Sequence, residues 1–258
     1  MMKASTLYEG DTHQWILLAR DPEKPPAIID TNQYMLVSEG EAILLDPGGI
    51  ELFAAMLAAV VDYVPVERIT QLFASHQDPD IISSLGLWDK TLPEATLHAP
   101  WMWEGFIRHF GCETIEYDPL PDEGKTIKVG EAELVFVPAH YVHSSGNFSV
   151  YDPVAKILMS GDIGASLLPH DAPVFVEDFY AHVPRMKLFH QRWMPSNRAK
   201  NDWIRRVRDL DIEMLAPQHG AIYTGDNIKR FLDWFEELEV GIAIEREPAK
   251  SEPVERAA

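Results

Sequence analysis

A single cysteine, Cys112, in 258 residues rules out a disulfide within the chain and with it the small secreted scaffold. Long apolar runs are missing too: the longest, 52–61, falls well short of the roughly 18 residues that suggest a membrane span. The first residues, MMKASTLYEGDTHQW, lack the apolar segment of a secretory signal. A cytoplasmic location is therefore the expectation. Basic residues are scarce, 22 Lys and Arg against 41 Asp and Glu, and a net charge of −19 repels phosphate backbones and anionic lipid. Nucleic acid and membranes are poor partners for such a chain. No Gly-rich phosphate loop of a nucleotide binder is present. The composition, 46% hydrophobic and 24% charged, is that of an ordinary globular protein. Layered α/β folds of this length often form one domain, which is expected here over 1–244. The remainder, 245–258, turns to Glu, Arg, Pro, Ala and Lys and reads as a disordered tail.

Short strand-like runs alternate with turn signals through the first half: 15–19, 27–30, 34–37 and 42–46, with Ser38 to Glu41 as a hairpin turn. The Asp-Pro-Gly-Gly segment at 46–49 breaks the last of these, and the Ala-rich 51–64 predicts a buried helix. A strand at 69–75 runs directly into His76-Gln77-Asp78-Pro79-Asp80, followed by helix to about Lys90. Then come a strand at 95–100 and a helix at 101–111 closed by Gly111. Two hairpins follow, one turning at Gly130-Glu131 and one at Asp152-Pro153. Amphipathic helices are expected at 185–194 and 201–210, separated by Pro195, then a strand before Gln218-His219-Gly220 and a closing helix at 226–238.

Four strand ends finish in metal-ligand chemistry: FASHQDPD, VPAHYVHSSGNF, LMSGDIG and LAPQHG. Strands sharing a sheet bring such ends to one edge, where loops carry a site on a rigid base. Carboxylates supply oxygen and imidazoles nitrogen, so His76, Asp78 and Asp80 can serve a cation, joined by His140 or His143 and by Asp162 and His219. Without a metal the same loop reads as an N-cap, Asp78 or Asp80 accepting from the N–H groups that open the next helix. Taken singly each loop has such a bland reading; the four together do not. His13, His98, His109, His170, His182 and His190 lie off the pattern and read as surface or packing residues. Cys112 reads as a buried structural thiol and Trp101 to Trp103 as core.

The segments TNQYMLV, EAILLDPGG, SHQDPD, HSSGNF, SGDIGA and APQHG, in that order, resemble the metallo-β-lactamase superfamily, and within it the oxygen-binding di-iron proteins related to the diiron domain of flavodiiron proteins. The resemblance implies an α+β fold, an αββα sandwich of two mixed sheets flanked by helices. It also implies ligand roles: His76, Asp78 and His143 on one iron, Asp80 and His219 on the other, and Asp162 bridging. His143 takes the role ahead of His140 because the segment that follows it resembles the family's ligand loop. Hydrolytic zinc members usually carry His-x-His-x-Asp-His, whereas the diiron branch carries His-x-Glu-x-Asp. The carboxylate at Asp78 therefore points to two iron ions, with zinc as the alternative.

Three departures qualify the resemblance. Asp78 is one methylene shorter than the usual glutamate. Ile81 stands where many relatives have a further histidine, which leaves an open position on the second metal beside an apolar side chain. No flavodoxin-like segment follows, so no FMN is expected. The functional expectation is a di-iron protein that binds dioxygen, as an oxygen sensor with a signalling partner. Its rivals are an oxygen or nitric oxide reductase fed by an external electron-donor protein, and a zinc-dependent hydrolase. Family resemblance also implies a homodimer.

Overall fold

Side chains that alternate between two buried faces decide how this chain folds. The protein was analysed as a computed structural model that describes residues 2–19, 21, 23, 27–169 and 171–244; the tail at 245–258 and His170 lie outside the described residues. Strands β1 (Lys3–Glu9), β2 (His13–Ala19), β3 (Asn32–Ser38) and β4 (Glu41–Leu45) form an antiparallel meander. Strands β5 (Ile69–Phe73), β6 (Thr96–Pro100) and β7 (Glu116–Leu120) extend it in parallel. Their crossovers carry α1 (Phe53–Val60), then α2 (Pro79–Ile82) with α3 (Leu85–Thr91), then α4 (Glu104–Ile107). The second sheet has the order β13-β12-β11-β10-β9-β8. It holds β8 (Thr126–Val129), β9 (Ala132–Pro138), β10 (Phe148–Asp152), β11 (Ile157–Gly161), β12 (Met214–Pro217) and β13 (Tyr223–Thr224). Helices α5 (Phe179–Trp193), α6 (Asn197–Val207) and α7 (Asp226–Glu237) accompany it.

In β3, Tyr34 and Leu36 enter the layer between the sheets while Met35 and Val37 face the helices. β2 divides the same way, Trp15 and Leu17 inward, Ile16 and Leu18 outward. Strands buried on both faces read as continuous apolar runs, which is why these were visible in sequence. From the second sheet, Phe136, Phe148, Ile157 and Met159 close the inner layer, and Leu158 and Leu215 pack outward among residues of α5, α6 and α7. Each such side chain contributes about 1.5–3 kcal/mol by leaving water. The result is the expected αββα sandwich with two mixed sheets. No helix among the described residues is long and apolar enough to cross a membrane.

Several local expectations need correction. Residues 27–30 form a turn and extended coil in place of a strand, with Ile29 55% exposed, because the run has no sheet neighbour to bury it. The helix at 51–64 shortens to α1, preceded by a 3-10 turn at Ile50–Leu52. The helix at 101–111 breaks into 3-10 turns around the single α turn of α4, although Gly111 does end it with φ +78°. Trp101 is not core: it is exposed and donates its indole N–H to Asp122. Conversely α5 begins well before Arg185, with Asp178 accepting from the N–H groups of Tyr180 and Ala181, and runs through Pro184.

Candidate metal centre

The candidate ligands leave strands of both sheets at one rim of the sandwich. β5 is followed by His76; Asp78 and Asp80 sit at the start of α2. The loop between β9 and β10 supplies His143, the end of β11 supplies Asp162, and the end of β12 supplies His219. Two glycines fix the last two. Gly161 adopts φ +59° and Gly220 φ +85°, left-handed conformations that L side chains rarely adopt, and a Cβ on Gly220 would collide with Ser166.

His76, Asp78, His143 and Asp162 present ligand atoms that all lie within 4.8 Å of one another. Asp162 Oδ2 stands 3.0 Å from His143 Nε2 and 3.9 Å from His76 Nε2. Asp78 Oδ2 is 3.3 Å from His143 Nε2 and 3.6 Å from His76 Nε2. The other oxygen of Asp162, Oδ1, lies 3.3 Å from His219 Nε2, which is also 3.3 Å from Asp80 Oδ2. All six residues named from the sequence thus form one connected group, three donors on one side of Asp162 and two on the other. Donors that share one ion at roughly 2.1 Å sit about 3–4 Å apart, the spacing seen here. Asp78 occupies the N-cap position of α2 yet makes no side-chain cap hydrogen bond, so its carboxylate serves the cluster and not the helix.

The hydrogen bonds around the cluster set the imidazole tautomers. Asp46, at the end of β4, accepts from the backbone N–H and the hydroxyl of Ser75 at 2.8 and 2.9 Å. With its proton so committed, the Ser75 hydroxyl accepts from His76 Nδ1 at 2.9 Å, leaving the Nε2 lone pair directed at the cluster. His219 Nδ1 donates to the carbonyl of Asp30 at 2.8 Å, with the same effect. Metal-binding histidines are held this way. The Nε2 atoms of His76 and His143 and Oδ1 of Asp162 are buried with no hydrogen-bond partner, a cost that a cation among them would remove. Asn147 ties down the His143 loop by donating its amide N–H to the carbonyl of Val142. The donor set therefore fits a pair of hard or borderline cations.

Electrostatics point the same way. Burial alone would push His143 down, but the carboxylates of Asp162 and Asp78 beside it raise it to about 10. His219, buried beside Asp162 and Asp80, is raised well above its ordinary value by their charges, that of Asp162 first. Burial would raise Asp162, yet His219 and His143 hold it well below the usual carboxylate range. Asp46 is lifted by burial to about 6, the charge of His76 and the Ser75 bonds offsetting part of the cost. A cluster that draws protons so strongly draws metal cations by the same charge, and cation uptake must release those protons.

His140 stays outside the group, its Nε2 donating to the carbonyl of Asp122 and its ring edge-on to Phe148. Ile81 is fully buried in the apolar layer on the helix side of the first sheet. His13 bonds Asp152, His98 bonds Asp118, His190 accepts from the N–H of Gly164, and Cys112 is buried. The supporting residues Asp46, Ser75, Asn147 and the carbonyl of Asp30 escaped sequence reasoning. Asp46 and Ser75 also stand at strand ends, which was the one signal available; a backbone carbonyl leaves none.

The model of the ODP family beta lactamase matches residues 29–220. Among solved structures, the chemotaxis sensor ODP in its peroxy diiron species superposes with a TM-score of 0.84 at 37% identity, over 94% of this chain and 98% of that one. The apo state of the chemotaxis sensor ODP from T. denticola gives 0.84 and 36%, over 95% and 98%. The flavodiiron protein from Giardia intestinalis shares the fold at a TM-score of 0.79 and 16% identity, over 91% of this chain and 59% of that one. An uncharacterised protein of Methanocaldococcus jannaschii is 22% identical over 224 residues, 79% of this chain and 52% of that protein. The chain thus spans about half the length of that curated relative.

Proposed function

The chain belongs to the ODP family beta lactamases, and from that premise we propose that it is a non-haem di-iron protein that binds dioxygen and serves as an oxygen sensor. One observation carries the reading: Asp162 addresses His76 and His143 with one oxygen and His219 with the other, so a single carboxylate joins two half-sites. His76, Asp78 and His143 would hold one iron, Asp80 and His219 the other, and Asp162 both. When bound in its reduced form, the iron pair supplies the electrons and the open positions that dioxygen needs.

The chain's own residues do the rest. The three carboxylates offset most of the charge of two divalent ions, and their oxygen ligands favour iron over softer metals. Ser75, backed by Asp46, and the Asp30 carbonyl hold two imidazoles in the ligating tautomer. The half-sites differ: one has His76, Asp78 and His143 besides the shared aspartate, the other only Asp80 and His219. The poorer half is where a small ligand meets least competition from protein donors.

The test is elemental analysis and an optical spectrum of protein purified without added metal, followed by mixing of the reduced protein with oxygenated buffer. Iron at close to a pair per chain, with a visible band that appears on oxygen addition, is the expected result. Zinc in its place with ester or thioester turnover would put the hydrolase reading ahead, and sustained oxygen consumption with an added donor system would favour a reductase.

A further inference from the structure

Helix α5 departs from the charge of the rest of the chain. From Phe179 to Asn201 there is no Asp or Glu, while five of the 22 basic residues fall there, in a chain of net charge −19. Lys200 is buried and donates to the carbonyls of Phe235 and Glu236. The other four, Arg185, Lys187, Arg192 and Arg198, are exposed, and none is ion-paired among the described residues. Elsewhere Lys128, Lys156, Arg205, Arg206, Arg208 and Lys229 all have carboxylate partners. Arg185, Leu188 and Arg192 follow at helical spacing, which sets them along one outward stripe with Leu188 62% exposed.

The same helix touches both halves of the candidate metal centre. The Trp193 ring meets His143 edge-on at a centroid distance of 5.7 Å, yet Trp193 is 54% exposed. Phe189 stacks on Trp193 and lies 6.5 Å from the ring of His219. One aromatic ring therefore spans the distance from a candidate ligand to solvent, next in sequence to the unpaired Arg192 of the outward stripe.

We propose that this face of α5 is the docking site of a small acidic one-electron carrier protein, with Trp193 as the side chain through which the electron reaches His143. The unpaired cations select an acidic surface, because a like-charged one is repelled and the rest of the molecule repels acidic partners. The step would balance: the carrier would give up one electron, a ferric ion held by His143 would become ferrous, and no bond or proton would move through Trp193. The inference rests on the di-iron reading, but docking itself needs no metal.

Two measurements test it with a plant-type [2Fe–2S] ferredoxin as the acidic probe and cytochrome c as the basic one. In metal-free protein, ferredoxin should quench tryptophan fluorescence and bind more weakly as salt rises, and cytochrome c should not compete. The Arg185→Glu/Arg192→Glu variant should weaken binding about ten-fold and flatten the salt dependence. In iron-loaded protein brought to the ferric state, stopped-flow oxidation of reduced ferredoxin should slow several-fold in Trp193→Leu at saturating carrier, where a change in binding no longer limits the rate. Equal binding by the charge-reversed variant, or an unchanged oxidation rate in Trp193→Leu, overturns the proposal. Failure to load iron would instead defeat the di-iron reading and leave the docking result standing.

Discussion

Asp162 is the residue on which both half-sites depend, since each of its oxygens faces different imidazoles. Asp162→Ala should therefore abolish the binuclear site in metal analysis, while His140→Ala, which loses only a bond to the Asp122 carbonyl, should leave metal content near parental. Equal loss in both would reverse the assignment of His143. Ser75→Ala removes the acceptor that holds His76 Nδ1 and should lower metal affinity about 10- to 100-fold in a chelator competition, with the fold retained. His182 answers to pH. Burial first, and the charge of Arg185, lower it to about 4, against about 6.5 in an unfolded chain. The unfolded state then binds the extra proton between those values, so this contribution to stability is full above pH 6.5 and fades as pH falls toward 4. Urea midpoints from about pH 7 to about pH 4.5 should fall more steeply for the parent than for His182→Gln.

At the scale of elements, the sequence was most legible where periodicity and burial agree. Tyr34 to Val37 and Ala42 to Leu45 are buried on both faces and announce themselves as strands. β7 did not, because Pro119 argues against a strand; it is tolerated there since β7 is the edge of its sheet and the missing N–H breaks no ladder. β1, at the opposite edge, is largely exposed and lacks a clear apolar face. The helix at 101–111 misled through its aromatics: Trp101 and Phe106 are exposed, so no continuous face holds the segment in one helix. Among candidate ligands, side chains at strand ends were legible by residue type, whereas the choice between His140 and His143 came from resemblance to a family. In α5, Pro184 removes a hydrogen bond to the Tyr180 carbonyl, and Tyr180 is exposed so that water can replace it. Pro184→Ala restores the bond and should stabilise the protein by about 1–2 kcal/mol, the helix gain of roughly 3 being partly offset by the freer unfolded chain. A lower melting temperature in the variant would show that the ring is needed for packing.

Across the whole molecule, the candidate ligands divide evenly between the sheets: His76, Asp78 and Asp80 follow the first, His143, Asp162 and His219 the second. Ions held there would fasten one sheet to the other at a rim where Asn32 and Tyr34 of β3 already donate to the Pro217 carbonyl of β12. Binding that exists only in the folded state stabilises it by about 4 kcal/mol when free metal exceeds its dissociation constant a thousand-fold. Loaded protein should accordingly melt higher than chelated protein and resist proteolysis in the loops carrying His76 and His143; identical melting curves would show that the ions add nothing to the joint between the sheets. The rim then works as a rivet whose presence depends on supply. A chain that lost its ions would lose that fastening, and because unfolded chains are degraded first, the amount of protein would follow the supply of its metal over hours.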